Sequence, residues 1–343
     1  MSTPDMTIGG LPADQPNTEQ GASRRKKALL LILLGSLGLL LLLTGWYLLF
    51  RKPITEIPLP VIEQPMPAYQ YSLYDLSKPQ SVAVSADGSK VYVTQTGAVL
   101  DTVLLDGKGT KLATLTPPAD LIAQAHQLFL AVNPVTSEVW ATDRYNSAVV
   151  IYTADGTFSR IFDQGVGLAD WQPLAIAFDK AGQAFVADVA TTKPVIHVFG
   201  TDGKLVKDIG ADQSLDHPNG IAVADDGTIY VTDTANGRLQ ILDKDGKRLG
   251  LVDRGNAAGN LGLPVGVAFD DKGRVVVVDS SGARVQVYAQ LATGERGPKF
   301  INSFGDAGTA DSVMKFPNGL AADGRGRLYV ADWGNDRLEI WSY

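Results

Sequence analysis

A pattern of about 46 residues recurs six times through the C-terminal part of this 343-residue chain, and it limits the possible folds more than any other feature. The best copy reads Pro218-Asn219-Gly220-Ile221-Ala222-Val223, then Asp226-Gly227, then Tyr230-Val231-Thr232-Asp233, then Asn236 and Arg238-Leu239-Gln240-Ile241. Equivalent segments start at Pro79, Gln127, Pro173, Pro218, Pro264 and Pro317, so the steps are 48, 46, 45, 46 and 53 residues. Within each unit, short β-branched and aromatic runs are bounded by Asp-Gly or Asn-Gly turns, the mark of antiparallel strands. A period in the forties with several strands per unit describes a propeller blade. The pattern therefore predicts an all-β, six-bladed β-propeller with four strands per blade. In blade four the strands are expected at about 220–224, 228–233, 238–243 and 247–252.

On these residues the chain resembles the NHL repeat family over 68–343. The resemblance is specific in blades four to six and weaker toward blade one. There Gln95 follows Tyr92-Val93-Thr94, where the pattern carries Asp. It implies a six-bladed ring acting as a binding module. Propellers of this family include the sensor parts of bacterial receptor kinases, but this chain carries no kinase.

The last repeat reaches Tyr343 after three strands. Its fourth is expected from Tyr69-Gln70-Tyr71-Ser72-Leu73-Tyr74, ahead of the first repeat, which would close the ring without a free edge. Residues 71 and 340 should then lie side by side. This closure places the start and the end of the ring on one face. The opposite, upper face would carry the variable loops around 116–125, 163–172, 212–217, 253–263 and 303–316.

Residues 28–50 run without a charge, and 13 of these 23 are Leu. At about 1.5 Å per residue such a helix crosses a hydrocarbon core. Arg24, Arg25, Lys26 and Lys27 precede it, and Arg51 and Lys52 follow it. By the positive-inside rule the N-terminus is cytoplasmic and the propeller extracytoplasmic. The predicted organisation is a disordered cytoplasmic tail with a basic flank (1–27), a single-pass signal anchor in the cell membrane (28–50), a proline-rich spacer (51–67) and the propeller (68–343).

Composition narrows the chemistry. The chain has no cysteine, which excludes disulfides, thiol nucleophiles and Cys-ligated metals. Its net charge is −7, and the part beyond residue 52 holds 24 basic and 34 acidic side chains. An acidic ectodomain does not bind nucleic acid. No zinc-protease, hydrolase-elbow or P-loop motif occurs, and no cofactor is implied. Asp143, Asp188, Asp233, Asp279 and Asp332 recur once per blade, which points to structure, with Arg238, Arg284 and Arg337 as partners five residues on. His197 reads as an ordinary packing position.

Two groups of residues are candidates for binding. The variable position of Pro-x-Gly opens each inner strand and should ring the central mouth; it holds Gln80, Leu128, Leu174, Asn219, Val265 and Asn318. His126 and His217, just ahead of repeats two and four, are expected beside Gln80, Asn219 and Asn318. On the upper loops, Arg144, Tyr145, Trp171, Lys193, Arg254, Phe316 and Trp333 supply the aromatic and Arg side chains that anchor interfaces. The expected function is binding or scaffolding of a protein, peptide or glycan. An alternative follows from a second resemblance, to gluconolactonase-like propellers, which hold a divalent metal at the mouth with a Glu, Asn residues and an Asp. Asn219 matches their Asn, and the other five positions carry no acid. This alternative is a metal-dependent lactonase or lyase.

Overall fold

The computed structural model describes residues 18–50, 66–98, 100–119, 126–162, 168, 171–190 and 193–343. The chain divides into two compact units, residues 1–63 and 64–343.

In the first unit, helix α1 spans Thr18–Phe50. Its segment Lys27–Tyr47 is long and apolar enough to cross a membrane. Two hydroxyls in this stretch bond back to the helix, Ser36 to Ile32 O at 3.0 Å and Thr44 to Leu40 O at 2.7 Å. Each is thereby satisfied without water. The helix begins ten residues ahead of the apolar run, so it takes in residues 18–23 of the stretch expected to be disordered, together with the basic flank 24–27. The chemistry of the segment explains this: Glu, Gln, Ala, Arg and Lys all have good helix propensity, and a helix already nucleated extends through them. The tail before Thr18 and nearly all of the proline-rich spacer lie outside the described residues.

The second unit is a ring of six four-stranded antiparallel sheets. In chain order, β1 is Ala68–Leu73. Blade one follows as β2 (Pro79–Val84), β3 (Lys90–Thr96), β4 (Leu100–Asp106) and β5 (Lys111–Leu115). Blade two is β6 (Gln127–Val132), β7 (Val139–Asp143), β8 (Ala148–Tyr152) and β9 (Phe158–Ile161). Blade three is β10 (Pro173–Phe178), β11 (Ala184–Asp188), β12 (Val195–Phe199) and β13 (Leu205–Ile209). Blade four is β14 (Pro218–Val223), β15 (Ile229–Asp233), β16 (Arg238–Leu242) and β17 (Arg248–Val252), within two residues of the predicted bounds. Blade five is β18 (Pro264–Phe269), β19 (Val275–Asp279), β20 (Arg284–Tyr288) and β21 (Phe300–Phe304). Blade six is β22 (Pro317–Ala322), β23 (Arg327–Asp332) and β24 (Arg337–Ser342), completed on its outside by β1.

The ring closes as the sequence predicts. Strand β1 pairs antiparallel with β24, and Tyr71 lies opposite Ile340. Ala68 pairs with Ser342, so the chain enters and leaves the ring on one face, opposite the face where the inner strands begin.

There is no single central core. Six apolar clusters each lie between two neighbouring blades; the one at the seam joins Val82 and Val93 of blade one to Leu73, Tyr329, Leu338 and Ile340 of blade six. Middle strands are therefore covered on both faces, which is why Val275-Val276-Val277-Val278 is apolar without alternation and buried throughout. Threonine hydroxyls also tie one blade to the next: Thr94 to Leu128 O at 3.0 Å, Thr142 to Leu174 O at 2.8 Å and Thr232 to Val265 O at 2.6 Å. Near the axis the inner strands crowd together. A Cβ on Gly319 would lie 2.6 Å from Ser81 Cα, and one on Gly220 would lie 2.5 Å from Val265 O. The repeated glycine of Pro-x-Gly is thus required by close backbone approach.

Candidate functional site

The repeated aspartate builds the upper face. Asp143, Asp188, Asp233, Asp279 and Asp332 end the second strand of blades two to six and are all buried. Each carboxylate accepts a backbone N–H from the loop ahead of its inner strand: from His126 at 3.1 Å, Gln172 at 2.8 Å, Asp216 at 2.7 Å, Leu263 at 2.9 Å and Lys315 at 2.6 Å. In blade one Gln95 does the same, taking the Ser77 N–H at 2.7 Å, so the departure from the repeat pattern keeps the acceptor. The paired arginines complete the device. Arg238 Nε donates to Asp233 at 2.7 Å, Arg337 Nε to Asp332 at 3.0 Å, and Arg284 stands 3.7 Å from Asp279. Arg337 also donates to Ala310 O and Val313 O, both at 2.6 Å. The carboxylate takes up the loop N–H groups and the guanidinium its carbonyls, so these residues hold the loops in place.

These bonds come in two forms. In blades one, four and six the donor stands two residues ahead of the repeat proline; in blades two, three and five the residue immediately before the inner strand donates. In the first group the intervening residue is left-handed: Lys78 (φ 51°), His217 (φ 48°) and Phe316 (φ 51°). A non-glycine residue held there stores about 1–3 kcal/mol of strain, and such strain concentrates at functional sites. The same three blades carry the amides Gln80, Asn219 and Asn318 at the variable position; the other three carry Leu128, Leu174 and Val265.

The variable position is aimed by a bulge. In all six blades the inner strand's register shifts by one within its first residues, between Pro79 and Ser81 in blade one and between Pro218 and Gly220 in blade four. The extra residue drops out of the ladder and its side chain is re-aimed. Gln80, Asn219 and Asn318 meet in a central depression of about 470 Å3, together with Leu128, Leu174, Thr96, Phe129, Phe316 and Trp333. Val265 is buried away from it.

The other candidates are placed as follows. His126 and His217 do not line this depression. His126 packs against Tyr145 with the rings tilted by 54° and their centroids 5.3 Å apart, and shares with Arg144 a neighbouring depression of about 520 Å3. His217 bonds Asp216 at 2.7 Å and lines a third, of about 710 Å3, with Lys193. Both histidines belong to the loops ahead of the inner strands, so the bulge does not turn them inward. Arg254 is exposed and belongs to none of the three depressions. Phe316 is exposed, and Trp333 is half-buried with Nε1 donating to Thr96 at 3.2 Å. Trp171 is no surface anchor: it is 2% exposed, packs on Phe199 and donates to Ser147 O at 2.7 Å. A large apolar ring in a loop is drawn into the gap between two blades, and its N–H finds a carbonyl there.

His197 is more than an ordinary packing position. It is buried, with Nε2 3.2 Å from Asp188 and Nδ1 2.7 Å from Asp208. Burial opposes its protonation, but the two carboxylates prevail and raise its pKa. Asp188 is lowered: burial works against this, and hydrogen bonds from His197, Gln172 and Ala190 outweigh it. In register, His197 stands where Gln240, Gln286 and Glu339 stand in the next three blades. The loop before β12 is two residues longer than its counterpart in blade four, which hides the equivalence from simple spacing.

The molecule is thus a six-bladed β-propeller with an amide-and-aromatic mouth. The family model of the NHL repeat matches residues 215–242 and 261–288, in blades four and five, so the ring carries NHL repeats. No curated protein sequence matches the chain. Among solved structures, virginiamycin B lyase from Staphylococcus aureus is similar at 17% identity and a TM-score of 0.55, covering 81% of this chain and 100% of that one. A streptogramin B lyase structure is similar at 16% identity and a TM-score of 0.55, covering 79% and 96%. At these identities the likeness is one of fold.

Proposed function

We propose that this protein is a membrane-tethered binding or scaffold module. Its helix anchors it in the cell membrane with the N-terminus in the cytoplasm, and the extracytoplasmic propeller binds a protein, peptide or glycan through the face that carries the mouth. The observation that carries this reading is the make-up of the mouth: three amides, an exposed Phe316 and a half-buried Trp333 over an apolar floor. These groups recognise and orient a ligand but supply no general base or nucleophile.

The lactonase or lyase alternative needs a divalent metal, and the donor set does not fit one. Such hard cations take carboxylate oxygens, whereas the mouth offers neutral amides. Among the described residues no three His, Cys, Asp or Glu side chains stand close enough to share an ion. Trp333→Ala and Arg144→Ala should each reduce recovery of a cross-linked envelope partner at least fivefold, with the melting temperature unchanged. Undiminished recovery in both variants would remove the mouth-bearing face as the binding surface.

A further inference from the structure

Resting on that reading, we infer that the central mouth takes an uncharged carbohydrate, gripped at its hydroxyls by Gln80, Asn219 and Asn318 and stacked against Phe316. Three observations lead there. First, among the described residues the mouth's lining holds no ionisable side chain. The nearby Lys78 is already paired, 3.5 Å from Asp336, with its ammonium 4.8 Å above the Trp333 ring. Among the described lining residues an anionic ligand would find no free cation and a cationic one no carboxylate, so each would lose hydration without a partner there.

Second, apart from the Thr96 hydroxyl, which accepts from Trp333 and donates to Lys78 O, the polar side-chain groups that face the ligand are primary amides, each offering donors and an acceptor. A sugar hydroxyl is likewise donor and acceptor at once, so the two match in either direction. The amides stand on blades six, one and four, while Leu128 and Leu174 on blades two and three are apolar. The mouth therefore sets amides directly beside aromatic and aliphatic groups, with Phe316 and Trp333 on blade six next to Asn318 and the two leucines on blades two and three. A pyranose has the same juxtaposition, with hydroxyls around its edge and C–H groups on its faces.

Third, the same three blades hold the left-handed Lys78, His217 and Phe316. Phe316 immediately precedes the strand that carries Asn318, and it keeps its ring 55% exposed in spite of its apolar character. An exposed aromatic on a strained backbone beside an amide is the arrangement that stacks a sugar face while its edge is hydrogen-bonded. The depression of about 470 Å3 lies within the usual range for small-ligand sites, about 300–1,000 Å3.

The test uses the full-length chain in lipid nanodiscs and saturation-transfer NMR. The probes are maltotriose, cellotriose and tri-N-acetylchitotriose as neutral sugars, trigalacturonate as an anionic one, and an end-capped neutral pentapeptide, each at about 10 mM, which detects even millimolar affinity. A neutral trisaccharide should bind at least tenfold tighter than trigalacturonate and the peptide. Asn318→Leu and Phe316→Ala should each weaken that binding about tenfold or more. Asn318→Leu is a mild change for the fold, because Leu already occupies this position in blades two and three. A melting temperature within about 2 °C of the parent checks that the ring is intact, and Gln80→Leu replaces any variant that fails this check.

Preference for trigalacturonate or for the peptide overturns the inference. So does the absence of any neutral-sugar signal, or binding that Asn318→Leu and Phe316→Ala leave unchanged. If those results coincide with a cross-linked partner that still depends on Trp333 and Arg144, the ligand class is wrong and the binding face stands. If partner recovery is also independent of Trp333 and Arg144, the binding-face reading falls with it.

Discussion

His197 lies between two carboxylates with almost no access to water, so its protonation is tied to folding. Its folded pKa is raised above the ordinary 6.5 because Asp188 and Asp208 outweigh the penalty of burial. A raised pKa means that the stabilisation is fully present below about 6.5 and fades as pH rises through the folded value. His197→Gln should therefore lose most, about 1.5–3 kcal/mol, in mildly acidic buffer, as expected for a charge-assisted hydrogen bond. The gap to the parent should narrow toward alkaline pH. Denaturant titrations of both proteins from pH 5.5 to 9 check this, and a gap that widens with pH contradicts the assignment. Reading along the chain, nothing distinguishes this histidine, because its partners Asp188 and Asp208 come from different strands and meet it only through sheet register. Trp171 is similar: its loop position allows either a surface anchor or a ring packed between blades, and which of the two occurs depends on the shape of the gap between the blades.

The inner strand follows rules that the sequence states openly. Its proline and the aspartate that ends its neighbour each recur in five blades and its glycine in blades four to six, and each has one mechanical task. The glycine makes the sharpest test. Gly319→Ala would drive a methyl group to 2.6 Å from Ser81 Cα and 2.9 Å from Gln80 O, both of them backbone. The strands must part, and overpacking of this kind costs about 1–3 kcal/mol. Urea denaturation should show that loss; a change below about 0.5 kcal/mol would mean that the inner strands are not in contact at the axis. Elements also carry what the repeat pattern conceals. Gln127 replaces the repeat's proline because its side chain joins Thr102 of blade one to Tyr152 of blade two. The bulge that aims Gln80, Asn219 and Asn318 into the mouth is likewise invisible in the residues alone. It arises where the strand must both pair with its neighbour and clear the axis.

At the scale of the molecule, the ring is held shut by β1 against β24. The chain contains no cysteine, so a single engineered pair reports on the seam without interference. Tyr71→Cys with Ile340→Cys places two thiols opposite each other in the ladder. Oxidation should form the bond in high yield and raise stability by about 2–4 kcal/mol, since it restrains most of the propeller in the unfolded state. Failure to oxidise, or an oxidised form less stable than the reduced one, would show that the strands do not close the ring in this register.

The sequence by itself determined the number of blades, the strands within them, the three-plus-one closure and the apolar helix. These follow from periodicity and from local turn chemistry, which neighbouring residues specify on their own. Their repeat position already puts Gln80, Leu128, Leu174, Asn219 and Asn318 at the mouth; only the tertiary structure decided which other side chains share it. It brought Gln80, Asn219 and Asn318 together with Phe316 and Trp333, left His126 and His217 in separate depressions, buried Trp171 and enclosed His197 between two aspartates. The physical reason is the ring itself. Residues more than a hundred positions apart become neighbours across the axis, and a one-residue bulge settles whether each of them faces the opening.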